Sequence, residues 1–128
     1  MKLGYTIIYV ADVPQTVTFY ETAFGLSCRF LHDSQTYAEM ETGATALAFA
    51  ALDAIELNGL AVNPNSAKSL AAAWEICLVT EGVASAYQTA LNAGCSPVVP
   101  PTEKPWGQTV AYLRDLNGCL VELATPIT

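Results

Sequence analysis

The sequence has one histidine, His32, and only five lysines and arginines against 12 acids. The formal charge of -7 gives a surface that repels phosphate backbones and lacks a basic stripe, which argues against nucleic acid as a partner. Long hydrophobic runs are missing too. Ala44–Leu52 and Ile76–Val79 are far shorter than a membrane span, and the Met1-Lys2 start lacks the apolar core of a signal peptide. The expectation is therefore a soluble, cytoplasmic protein with no membrane partner. The cysteines Cys28, Cys77, Cys95 and Cys119 form no CxxC pair and have no nearby histidine to complete a zinc motif, so they read as reduced, buried thiols, with Cys77 the one candidate exception. His32, within Leu31-His32-Asp33-Ser34, reads as a surface residue at a turn.

What is present is apolar residue, 52% of 128 positions, enough for one compact domain or for two small halves sharing a core. Tyr5–Val10 is rich in β-branched and aromatic residues and reads as a strand. Asp12 then precedes Val13-Pro14, an apolar stripe at Val13, Val17, Tyr20 and Phe24 follows, and Gly25 closes it, giving a helix start, face and stop. Glu75–Val79 is a second strand, succeeded by Glu81-Gly82 and a helix bearing Val83, Tyr87, Ala90 and Leu91 up to Gly94.

The segments YTIIYVADV and EICLVTEGV are equal in length, and the helices after them end in Gly25 and Gly94 within one residue of the same register. This is an internal repeat of about 70 residues, longer than solenoid periods and suited to a duplicated domain half. Each helix is followed by strands around a turn: Thr36–Ala50 pivots on a glycine, and Thr109–Ala124 on the longer Asp115-Leu116-Asn117-Gly118. The predicted plan is α+β, one domain of two βαβββ halves at about 1–52 and 74–128, joined by linker 53–73.

Glu122 is the residue this plan leaves unexplained. It lies in an apolar strand, on the face opposite Val121 and Leu123. Its surroundings carry a resemblance. The strand followed by Ala11-Asp12-Val13, the helix with Phe19-Tyr20 and Phe24-Gly25, and the late Pro105-Trp106-Gly107, Leu113–Gly118 and Leu120–Leu123 resemble the vicinal oxygen chelate superfamily. That superfamily includes glyoxalase I, extradiol dioxygenases and bleomycin-binding proteins. The resemblance covers nearly the whole chain and implies paired βαβββ modules whose mixed sheets curl into a cup, commonly completed by a homodimer. The superfold hosts several chemistries, so the likeness speaks to fold more than to activity.

In metal-dependent members the ligands come from the start of each half's first strand and from each half's last strand. The resemblance carries these onto Tyr5 and Glu75, then onto Leu47, reached by matching Gly43 to Gly118, and Glu122. A divalent metal usually wants about three or four N, O or S donors. Leu47 offers none and Tyr5 is a poor one, so Glu75 and Glu122 are weak metal candidates and no cofactor is expected. A one-residue shift at the first hairpin offers Ala48 and does not help.

Alternation then names the expected cup wall. Tyr5 facing in brings Ile7 and Tyr9 with it; Glu75 brings Cys77; and Leu47 brings Phe49. Counting back from Glu122 across the turn, the inward position that the resemblance implies falls on Tyr112, whose repeat partner is Glu39. Trp106, in its Pro-Trp-Gly turn, is a candidate lid. Aromatic faces beside unneutralised acids suit an organic cation. The functional expectation is a metal-free, dimeric binding protein that sequesters a hydrophobic cationic aromatic small molecule, with antibiotics among the candidates. The alternative is a lyase, isomerase or dioxygenase-like enzyme. There Glu75 or Glu122 acts as a general base or as ligand of a weak divalent metal, and Tyr112 donates to an oxyanion.

Overall fold

A computed structural model describes residues 1–127, which fall into two compact units that divide between Pro64 and Asn65. In the first unit β1 (Tyr5–Val10) leads into α1 (Val13–Phe24), followed by β2 (Cys28–Leu31), β3 (Tyr37–Met40), β4 (Ala46–Ala51) and a short α2 (Asp53–Leu57). In the second, β5 (Glu75–Val79) leads into α3 (Val83–Asn92), then β6 (Ser96–Glu103), β7 (Thr109–Arg114) and β8 (Leu120–Ala124). Each unit holds a four-stranded mixed sheet, ordered β1-β4-β3-β2 and β5-β8-β7-β6. The first and last strands of each unit pair in parallel and the other pairs are antiparallel. The βαβββ order recurs as the sequence pattern implies, and the α+β fold class stands.

Helix α1 begins where Asp12 Oδ1 accepts the Gln15 backbone N–H at 2.9 Å, and Thr16 returns its hydroxyl to the Asp12 carbonyl at 2.8 Å. Gly25, left-handed at φ 67, ends it by donating to the Glu21 carbonyl. The buried stripe of Val13, Val17 and Tyr20 packs over β2, β3 and β4, where the Tyr20 ring lies 5.0 Å from that of Phe49. The corresponding α3 covers β6, β7 and β8 with Val83 and Ala90 buried. One face of each sheet is therefore closed by its helix, and the opposite face is left to residues of the other parity.

The linker 53–73 is divided between the two units, and its first residues form α2, which the sequence pattern does not suggest. Strand β6 was likewise hidden, because Pro97, Pro100 and Pro101 break the alternation; proline is tolerated there since β6 is an edge strand.

The expectation for Leu47 and Phe49 is corrected. Tyr5 is in register with Ala46, and Ile7 with Ala48, so Leu47 and Phe49 share the parity of Thr6 and Ile8 and point to the helix side. Phe49 is fully buried against Tyr20. The error came from equating the two turn glycines. β4 starts at Ala46 and β8 at Leu120, which makes Ala48, not Leu47, the counterpart of Glu122. A one-residue slip turns every side chain to the opposite face.

Candidate functional site

In the second unit, β5 and β8 run side by side with Cys77 in register with Glu122 and Glu75 in register with Leu120. On the other side of β8, Tyr112 of β7 stands opposite Glu122. Glu75, Cys77, Glu122 and Tyr112 are thereby gathered on one face, away from α3, by pairing alone. The helix side takes Val121, Leu123, Ala111 and Leu113, all buried.

The Tyr112 hydroxyl donates to Glu122 Oε1 at 3.0 Å. Glu75 shares a hydrogen bond with Glu122, and that bond, together with partial burial and the neighbouring charge, pushes the Glu75 carboxyl up to about 7. Two carboxyls this close cannot both ionise freely, so one proton is held between them into the neutral range. Burial first, and then the bond to Glu122, push the Tyr112 phenol up to about 12. Burial and the same carboxylate push the Cys77 thiol up to about 11, so it is a protonated thiol and no nucleophile at neutral pH. Among the described residues, neither Glu75 nor Glu122 is in an ion pair.

The open face of the first unit has a different balance. Tyr5 is exposed, Ile7 largely so, and Tyr9 is half-buried with its hydroxyl accepting from Asn58 Nδ2 at 3.4 Å. Glu39 stands in register with Ala48 and so joins this face, as its repeat relation to Tyr112 suggests. Its Oε2 accepts the Tyr37 hydroxyl at 2.9 Å, and Arg29 Nη1 lies 3.9 Å from its other oxygen. Arg29 also makes a fork to Glu41, with Nε to Oε2 at 2.8 Å and Nη2 to Oε1 at 2.7 Å. This acid is compensated where the Glu75–Glu122 pair is not.

Tyr37 and Arg29 escaped the sequence reading. Tyr37 was within reach of it, being two residues before Glu39 and therefore on the same face. Arg29 was not, because a register shift between Cys28 and Phe30 sets its direction. Trp106 is exposed in the β6–β7 turn, with Nε1 donating to Gln108 Oε1 at 2.9 Å. That turn adjoins the Val110 and Ala124 end of the sheet, away from the Glu75 and Leu120 end.

The metal that the resemblance implies fails on the donor set. Of the four positions, Ala48, which replaces Leu47 once the register is corrected, has no donor atom and Tyr5 offers only a phenol, which leaves Glu75 and Glu122. Among the described residues no group of three or more His, Cys, Asp and Glu side chains is arranged to hold an ion. Two carboxylates fall short of a tightly bound divalent site. Their chemistry is instead that of a proton-sharing acid pair. It can accept N–H donors and a positive charge, or exchange a proton near neutral pH.

Solved structures share the fold. A glyoxalase-related enzyme from Fulvimarina pelagi superposes with a TM-score of 0.83 at 19% identity, covering 98% of this chain and 88% of that one. A glyoxalase/bleomycin resistance protein/dioxygenase family enzyme from Burkholderia phytofirmans PsJN gives 0.80 at 23% identity with all of both chains covered. TioX from Micromonospora sp. ML1 gives 0.73 at 18% over 98% of each chain. At these identities the likeness concerns the fold alone. No curated protein matches the sequence. The family model for the Glyoxalase/Bleomycin resistance protein/Dioxygenase superfamily matches residues 2–123, and the chain belongs to that superfamily.

Proposed function

We propose that this chain is a small-molecule-binding protein that sequesters a hydrophobic cation on its acid-and-ring face, as a homodimer and without a metal. The observation that carries the reading is the Glu75–Glu122 pair: two carboxyls on adjacent strands, joined by a phenol and a thiol and lacking a basic partner among the described residues. A ligand ammonium or amidinium supplies the missing charge and the missing N–H donors, while the Tyr112 ring offers its face to the cation. The overall charge of -7 favours such a ligand at long range.

The test is a thermal-shift series in which benzylammonium and larger aromatic amines are compared with uncharged compounds of the same shape. Cations should raise Tm with concentration, reaching about 2.7 kcal/mol of added stability at a hundredfold excess over Kd. Glu122→Gln should remove the shift. Equal shifts from neutral compounds, or an unchanged response in Glu122→Gln, would refute the reading.

A second reading is favoured by the position of the Glu75 carboxyl at about 7, where a carboxyl can act as general acid or base. In this reading the pair removes a proton next to a carbonyl, and the Tyr112 hydroxyl donates to the oxyanion that forms. It is told apart by deuterium exchange from D2O into carbonyl substrates, with loss in Glu75→Gln.

A further inference from the structure

The face that carries the acid pair also carries one cation. Arg114 lies two residues beyond Tyr112 on β7 and opposite Leu120, whose other neighbour is Glu75. It is thus one diagonal step from Glu122, and such neighbours are roughly 7–8 Å apart, within the span of an arginine side chain. Its guanidinium nevertheless goes elsewhere. Nε donates to the Gly118 carbonyl at 2.9 Å, and Nη2 donates to the Ser66 carbonyl at 3.0 Å.

Ser66 belongs to the segment entering β5, and glycine at 118 lets it approach. A Cβ at position 118 would stand 2.5 Å from Ser66 O and 2.6 Å from its carbonyl carbon, and the backbone there has φ +85. Asp115 fixes the same turn by accepting the backbone N–H groups of Asn117 and Cys119, both at 2.8 Å. The turn glycine of the first unit, Gly43, also has positive φ but meets nothing within 4 Å. The close approach therefore belongs to the second unit's own design and is not a general demand of the hairpin.

We infer that Arg114 is a positioning residue for the acid pair: the Gly118–Ser66 contact parks its guanidinium on two backbone carbonyls and so leaves Glu75 and Glu122 uncompensated and open to a ligand's cation. The inference rests on the reading of that pair as the ligand's seat. Freed from the carbonyls, the guanidinium has the two carboxyls within its span on its own face, whereas the neighbouring Asp115 is on the opposite parity with Oδ1 engaged by the backbone N–H groups of Asn117 and Cys119. It then occupies the place of the ligand's cation and draws the shared proton off. The titratable and charged groups on this face are Glu75 and Cys77 from β5, Glu122 from β8, and Tyr112 and Arg114 from β7. β6 sets only Ser96, Val99 and Thr102 in register with that parity.

The readout is the titration midpoint of the acid pair, followed by carboxyl 13C NMR without ligand. Arg114→Lys keeps the charge but loses the fork that spans two carbonyls, and the midpoint should fall by about one unit, as a cation beside a carboxylate requires. Arg114→Gln should leave the midpoint near that of the parent protein. Gly118→Ala should lower it as Arg114→Lys does, and Gly118→Ala combined with Arg114→Gln should restore it. If Gly118→Ala does not fold, the Lys and Gln variants decide alone. An unchanged midpoint in Arg114→Lys, or an equal fall in Arg114→Gln, overturns the inference. Benzylammonium separates it from the binding proposal: affinity about tenfold weaker in Arg114→Lys than in the parent supports both. Midpoints that move as stated, with no binding to any form, support the role of Arg114 and overturn the ligand seat.

Discussion

The proton held between Glu75 and Glu122 gives the sharpest prediction, obtained by changing pH and one atom of Glu122. The Glu75 carboxyl is pushed from 4.5 to about 7, first by its bond to Glu122, then by partial burial and the neighbouring charge. At pH 7 about half of the molecules then carry the proton, against about 0.3% for an ordinary glutamate. Between those two values the folded chain binds more protons than the unfolded chain. The contribution to stability is accordingly full below about 4.5 and is lost as pH rises through about 7. Glu75 is exposed, so solvent screening keeps the slope well under the ~1.4 kcal/mol per pH unit of a whole proton in a buried site. Carboxyl 13C shifts of glutamate-labelled protein should show one glutamate signal moving near pH 7. In Glu122→Gln, which replaces a competing acid by an amide able to donate, that midpoint should return toward the ordinary range. If every glutamate titrates between about 4 and 5, the shared proton is not there and the site argument fails.

Two further outcomes follow from the same geometry. Phe49→Ala should cost about 3–5 kcal/mol in denaturant unfolding, because the ring is fully buried against Tyr20; Ile7→Ala, on the open face, should cost far less, and a similar cost for both would return Phe49 to the open face. Cys77 should be alkylated by iodoacetamide at pH 8 much more slowly than free cysteine although its residue is exposed, since partial desolvation of the thiol and the Glu122 carboxylate hold it up to about 11, and mass spectrometry should show Glu122→Gln speeding the reaction.

The duplicated βαβββ plan was readable because it depends on local signals. Asp12 as cap, Pro14 in the first turn, Gly25 as stop and a β-branched opening strand each act within a few residues of themselves. The acid-pair face was readable for a related reason: Glu75, Glu122 and Tyr112 follow from alternation once β5, β7 and β8 are located. Long-range register was not readable. Gly43 and Gly118 look equivalent in sequence but occupy different places in their turns, and that single step moved Leu47 and Phe49 to the wrong face. The neutralising role of Arg29 depends on a register shift in β2, and the parking of Arg114 depends on a segment 48 residues away. No pattern in the neighbouring residues encodes either.

At matched positions the two units balance their own charges differently. Tyr5 corresponds to Glu75, Ile7 to Cys77, Ala48 to Glu122 and Glu39 to Tyr112. Both faces keep a tyrosine hydroxyl donating to a glutamate, Tyr37 to Glu39 in one and Tyr112 to Glu122 in the other, but the strand that bears the acid has changed. In the first unit the acid sits on β3, where Arg29 on the adjacent β2 can reach it. In the second the acids sit on β5 and β8, β6 carries no basic residue, and the one arginine on their face is held on carbonyl oxygens. Buried or half-buried carboxylates that lack a counter-ion retain a proton or recruit a cation. The first unit has met that demand within its own sheet. The second has left it open, and for that reason the positively charged ligand proposed above is seated on β5 and β8.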